Sequence, residues 1–240
     1  AKAMDIDYQA YEPVAYYING EYQGLMGLRE RTNSVFVESN HNVDEDNIDL
    51  IELTNDEKAQ ASSGDTLVYH EMIEYAKNGD PKSEEYYKKM CSYIDMDEYI
   101  DYVIFEHFIV NTDWPGNNSK LWREKENGRF RWILFDTDFG LGLYGSGGEN
   151  YCDYTMNSIE WSSGSGEKIN WANDEGWEVA LFSNLIKNET FKKKFLNRNL
   201  LQLGSVLDYN RISAVWDSLS ERVDNEFCAT FGKYTTLQDM

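Results

Sequence analysis

Asn111-Thr112-Asp113-Trp114-Pro115-Gly116-Asn117-Asn118 and Trp132-Ile133-Leu134-Phe135-Asp136-Thr137-Asp138-Phe139-Gly140 are the two stretches that decide the fold. The first stops a helix that the spacing predicts to start at an Asp95 N-cap and run through Tyr99, Tyr102, Val103, Phe105 and Phe108 to Val110. Between the two stretches, Lys120 to Arg123 and Arg129 to Phe135 read as strands around a Glu126-Asn127-Gly128 turn. A hairpin brings its two ends together, so the polar loop and the acidic turn should return to one edge.

That edge then collects Asp113, Asn118, Asp136 and Asp138. Alternation across Thr137 would point Asp136 and Asp138 to the same side, where two unpaired carboxylates repel and a cation between them is the natural remedy. Hard oxygen ligands suit Mg²⁺, Mn²⁺ or Ca²⁺. Protein kinases use the same order of groups: a loop Asp that accepts the substrate hydroxyl's proton, an Asn five positions later on metal, and a DFG Asp after a short hairpin, also on metal. Each motif alone is weak; their order and the intervening hairpin carry the signal.

Outward from this centre, Val14 to Ile18 and Tyr22 to Arg31 flank Asn19-Gly20, a strong hairpin turn signal. A lone hairpin is marginal in water, so it must pack on something else, and a partner upstream is one expectation. Residues 48–111 read as helical: Ile48, Ile51 and Leu53, then Leu67 to Ala76, then Ser83 to Tyr93. Residues 112–142 hold the two loops, 143–176 form a Gly/Ser/Asn-rich loop insertion, and 177–231 repeat the spacing of three core-facing helices. The fold class is α+β, predominantly helical, in a single unit spanning 1–240.

The charge balance of 22 basic against 43 acidic residues, −21 overall, repels phosphate backbones and excludes nucleic acid as the natural partner. It is equally adverse for a nucleotide unless a metal inverts the local sign. No apolar run is long enough to span a membrane. Cys91, Cys152 and Cys228 are too scattered for a disulfide framework, and His41, His70 and His107 show no zinc spacing.

The stretch Tyr16-Tyr17-Ile18-Asn19-Gly20-Glu21-Tyr22-Gln23-Gly24-Leu25, followed by Leu28-Arg29-Glu30-Arg31, together with the two stretches quoted first, resembles the CotH (spore coat protein H-like) kinase family. The likeness runs over residues 14–142 and is specific in three places. It implies an atypical protein-kinase-like fold, here its C-terminal part lacking much of the N-terminal lobe. It implies ATP with Mg²⁺ or Mn²⁺, and phosphorylation of Ser/Thr on surface or coat proteins of a bacterium, the protein itself exported or at the cell surface. By similarity Asp113 is the catalytic acid, and Asn118, Asp136 and Asp138 hold metal, either of the last two in the DFG role. Asn118 also contacts the nucleotide, and Glu30 reaches it or belongs to a surface ion-pair network with Arg29 and Arg31.

One departure matters. Family members carry a Gly-rich strand pair and a phosphate-pairing Lys upstream, whereas Gly20, Gly24 and Gly27 make no GxGxxG and Lys2 sits in no such strand. Weak ATP binding by this chain, or none, is therefore expected. The competing expectations are a pseudokinase scaffold and a non-catalytic cell-surface module, its acids holding Ca²⁺ and its long loop and aromatics binding glycan or protein. Trp114, Trp122, Trp132, Phe139 and His107 read as core. The sequons at Asn117 and Asn188 read as chance matches.

Overall fold

The computed structural model describes residues 1–53, 59–115, 117–142, 156–163 and 178–234. It comprises two compact units, Ala1–Tyr8 with Thr32–Leu200, and Gln9–Arg31 with Leu201–Met240. Helices hold more residues than strands, and both are mixed through the chain, as the α+β expectation requires.

The first unit is built on a five-stranded sheet of order β1-β7-β6-β4-β5, with β1 Asp7–Tyr8, β4 Ile48–Leu53, β5 Ala59–Ser63, β6 Ser119–Glu124 and β7 Arg131–Leu134. The predicted ribbon is thus β6 and β7, paired Lys120 to Ile133 and Trp122 to Arg131, but it lies inside a larger sheet. Residues 48–53 correct the helical expectation for 48–111. They form a strand between β5 and β6, buried at every position except Glu52, so Ile48, Leu50, Ile51 and Leu53 reflect burial of both faces and not a helical stripe. β1 pairs in parallel with Ile133 and Leu134, an unforeseen use of the first residues.

Around the sheet lie α1 Ser34–His41, α2 Leu67–Asn78, α3 Glu84–Tyr93 and α4 Met96–Ile109, followed by α5 Ser158–Ser162, α6 Glu178–Leu185 and α7 Glu189–Leu203. Helix α4 is buried along almost its whole length and packs Tyr99 and Tyr102 against Trp132 of β7, at 4.5 and 6.2 Å between ring centroids. Asp95 does stand at its N-cap position, but its carboxylate makes no cap bond; it accepts from Arg131 at 3.0 Å. A real cap holds α7, where Asn188 Oδ1 accepts from the Thr190 and Phe191 amides while its Nδ2 donates to the carbonyls of Pro81 and Ser83. The second sequon is therefore a structural device with its amide nitrogen fully engaged. Within the expected insertion, α5 is a short helix, and 143–155 and 164–177 lie outside the described residues.

The second unit pairs β2 Tyr11–Ile18 with β3 Glu21–Arg29 and sets them against α8 Tyr209–Tyr234. Asn19 and Gly20, at φ 51° and 85°, supply the left-handed turn that the Asn-Gly pair foretold. The hairpin has a partner downstream in the chain: Thr230 Oγ1 of α8 meets the Tyr22 hydroxyl at 2.8 Å and accepts from the Leu25 amide at 2.9 Å.

Candidate active site

Helix α4 ends in a left-handed turn. Val110 adopts φ 54°, and the amides of Val110 and Asn111 bond back to the carbonyls of His107 and Glu106 at 3.2 and 3.1 Å. A β-branched residue in that conformation is costly, and glycine is its usual occupant. Asn118, Asp136 and Leu141 share the left-handed conformation at φ 52°, 50° and 56°, so four of the six non-glycine residues of that kind among the described residues lie in or directly beside the two decisive stretches. Such backbone costs about 1–3 kcal/mol per residue and persists only where packing over-determines it.

The packing that does so is visible. The Leu141 amide donates to the Ile109 carbonyl at 2.6 Å, and Gly140 donates to Thr137 O at 3.1 Å, so the acidic turn is tied to the end of α4. A Cβ on Gly140 would stand 3.1 Å from each of Ile109 Cδ1, Ile109 O and Thr137 O, two of them backbone atoms with little room to yield. Gly140→Ala is accordingly expected to cost about 1–3 kcal/mol in urea unfolding. An unchanged midpoint would show that the turn is not seated as tightly as this contact requires.

Asp113, half-buried, is held at both ends. Its amide donates to Asn111 Oδ1 at 3.1 Å, and its Oδ2 accepts from Asn117 Nδ2 at 2.7 Å and Asn118 Nδ2 at 2.6 Å. Oδ1 is left without a hydrogen bond among the described residues. Burial pushes the Asp113 carboxyl above its ordinary value; Asn117 pulls it back, while the charges of Asp138 and Asp136 push it further up. Asp113 thus lies within electrostatic reach of both acids of the turn. Asp136 is half-buried and Asp138 exposed.

The donor set fits a hard divalent cation in its chemistry: carboxylates, plus an Asn118 amide whose nitrogen is spent on Asp113 and whose Oδ1 stays open among the described residues. Among those residues no three His, Cys, Asp or Glu side chains close into a ready cage. Mg²⁺ does not need one, since it is commonly held by one or two carboxylates together with substrate phosphates and water. The nearby cations are already committed: Lys120, buried, bonds Glu52 at 2.9 Å and Thr32 Oγ1 at 3.1 Å and lies over the Phe135 ring. Arg131 serves Asp5, Asp7 and Asp95.

Whereas Asp113, Asn118, Asp136 and Asp138 belong to the first unit, Glu30 lies in the second. Its backbone and side chain close the open end of the hairpin, accepting from Gln9 Nε2 at 2.7 Å and, through Oε2, from Ala10 N at 3.3 Å. Trp114, Trp122 and Trp132 are core, as read, and so is His107, which is buried against Trp114, Phe182 and Phe195 with Nε2 on Ser162 Oγ at 2.6 Å. Burial lowers its basicity to about 3, so it stays neutral. Sequence reasoning did not pick out Asn111 and the buried Glu106 behind it, whose Oε2 accepts from Asn111 Nδ2 at 2.9 Å. The adjacency of Asn111 to Asp113 was the one available signal.

Among the described residues no helix is long and apolar enough to cross a membrane. A search of curated proteins finds no match to the chain. A family profile described as "CotH kinase protein" matches residues 1–239, essentially the whole length, and the chain belongs to the CotH kinase family, for which ATP and a divalent metal are the general expectation.

Proposed function

We propose that the chain transfers the γ-phosphoryl group of ATP to a Ser or Thr hydroxyl of a protein. The observation that carries this is the mutual placement of Asp113, Asn118, Asp136 and Asp138, with the Asp113 carboxyl perturbed by both acids of the turn. Asn117 and Asn118 fix Asp113 Oδ2, which leaves Oδ1 to receive the acceptor's proton. As the hydroxyl oxygen bonds phosphorus, its proton passes to Oδ1 and the bond from phosphorus to the bridging oxygen breaks, releasing ADP. Asn118 Oδ1 with Asp138, or Asp136, would hold Mg²⁺ or Mn²⁺, which when bound neutralises phosphate charge that this strongly acidic chain otherwise repels. A surface or coat protein of a bacterium is the substrate class that the family resemblance suggests.

The test is mass spectrometry of the purified chain after incubation with ATP at high concentration and Mg²⁺ or Mn²⁺. Phosphate on Ser or Thr, absent without metal, is the expected result. Calorimetry showing Ca²⁺ bound and no nucleotide, with no phosphate incorporated, would overturn it in favour of a non-catalytic binding module.

A further inference from the structure

We propose that Glu106 is a positioning residue, setting the backbone at Asp113 through the side chain of Asn111; this rests on the phosphotransfer function proposed above. Both residues are buried, at 1% and 3% exposure. Asn111 is gripped at three points. Its Nδ2 donates to Glu106 Oε2 at 2.9 Å, its backbone amide donates to Glu106 O at 3.1 Å, and its Oδ1 accepts the Asp113 amide at 3.1 Å. The chain of bonds then continues through the Asp113 carboxylate to Asn117 and Asn118.

An amide side chain has one acceptor and one donor end, so the acceptor at Glu106 dictates which end faces Asp113. Without it, the Asn111 amide is free to turn, and Asp113 N–H loses its partner. Packing alone gives no reason for an acid here, since an unpaired buried carboxyl is expensive and an apolar side chain is not. The geometry supplies the reason: Glu106 transmits the rigidity of α4 into the loop, as groups behind a reacting centre must.

Burial pushes the Glu106 carboxyl up to about 8, with the Asn111 and Tyr102 bonds pulling against it, so near neutrality it holds its proton. The sign follows from linkage. The folded state binds this proton more tightly than the unfolded chain does, so stability declines as pH rises from the ordinary carboxyl range towards about 8, where a charge appears in a buried site. Tyr102, one turn back on α4, hydrogen-bonds the Glu106 carboxyl and favours its ionised form. The titratable groups of the neighbouring elements are engaged elsewhere: His107 with Ser162 of α5, Arg131 of β7 with aspartates, and Lys194 and Arg198 of α7 with Asp97 and Asp101.

The experiment compares the parent chain with Glu106→Gln and Glu106→Leu. Steady-state phosphate incorporation is followed across neutral to alkaline pH, and amide hydrogen exchange is followed over residues 111–118. Glu106→Leu should lower kcat by about 10- to 100-fold with KM for ATP little changed, and Asp113 N–H should exchange faster. Glu106→Gln keeps the acceptor and should retain kcat within about threefold at pH 7, while losing the decline that the parent shows near pH 8. Parent-like kcat and exchange in Glu106→Leu, or an unaltered alkaline decline in Glu106→Gln, would overturn the role. If the parent itself incorporates no phosphate, phosphotransfer fails by itself. The exchange rate at Asp113 still decides about Glu106: faster in the Leu variant alone supports it, equal in all three refutes it.

Discussion

Asp113→Asn should lower phosphate incorporation by about 10²- to 10⁴-fold, the usual contribution of a positioned acid–base group, while leaving the fold at least as stable as the parent at neutral pH. The two halves come from the same geometry. Burial raises the Asp113 carboxyl above its ordinary value and the charges of Asp138 and Asp136 raise it further. A carboxyl raised on folding binds its proton more tightly in the native state, so its ionised form weighs against the fold as pH climbs from the ordinary carboxyl range through the raised value. Asparagine removes that charge yet keeps an oxygen able to accept from Asn117 and Asn118. A loss of activity with no loss in melting temperature is therefore the signature of a functional acid. Lost activity together with lost stability would make Asp113 a turn-former, a role that aspartate also fills. Mg²⁺ should narrow the stability difference, because a cation at Asn118 and Asp138 offsets the repulsion that the substitution relieves.

The elements that position the candidate site were legible because their signals are local. Helix stop, turn and strand end are each written in a few adjacent residues, and a hairpin needs no distant partner to bring its ends together. Residues 48–53 were misread because Ile48, Leu50, Ile51 and Leu53 fit a helix as well as a strand buried on both faces; what settles the matter is pairing with residues 119–124, far along the chain. β1 is two residues long and exists only through Ile133 and Leu134. The same distance hid the partner of the Asn19-Gly20 hairpin, which is α8. Asp95 shows another limit: the N-cap position was right, yet Arg131 outcompetes the helix amides for its carboxylate. The acids of α4 were the hardest to read. Glu98, Asp101 and Glu106 look like a solvated face, but all three are buried, each bonded by a group that the local sequence does not announce: the Trp132 amide on Glu98 Oε2, Arg198 and Asn111.

Among these, Asp101 supports the largest expected loss of stability. Its two oxygens accept from Arg198 Nε at 2.7 Å and Nη2 at 2.6 Å, a two-point clasp between α7 and the helix that leads into the Asp113 loop, and the Asp5 amide adds a third bond at 3.3 Å. Asp101 is fully buried whereas the Arg198 side chain is 38% exposed, so removing the arginine strands the member that cannot reach water. Arg198→Ala is expected to cost about 3 kcal/mol, the low end for breaking a buried pair because one partner is partly solvated, measured as a shift of the urea midpoint at constant slope. Replacing both residues, Asp101→Leu with Arg198→Met, should recover most of that loss, since a buried pair often exchanges with apolar side chains at little net cost. A single-substitution cost under about 1 kcal/mol would place the clasp with ordinary surface pairs. Activity in the stable double variant then separates two uses of the clasp. Parent-like phosphate incorporation means that it only holds α7 to α4, whereas a lasting deficit with stability restored means that it also sets the angle at which α4 delivers Asp113.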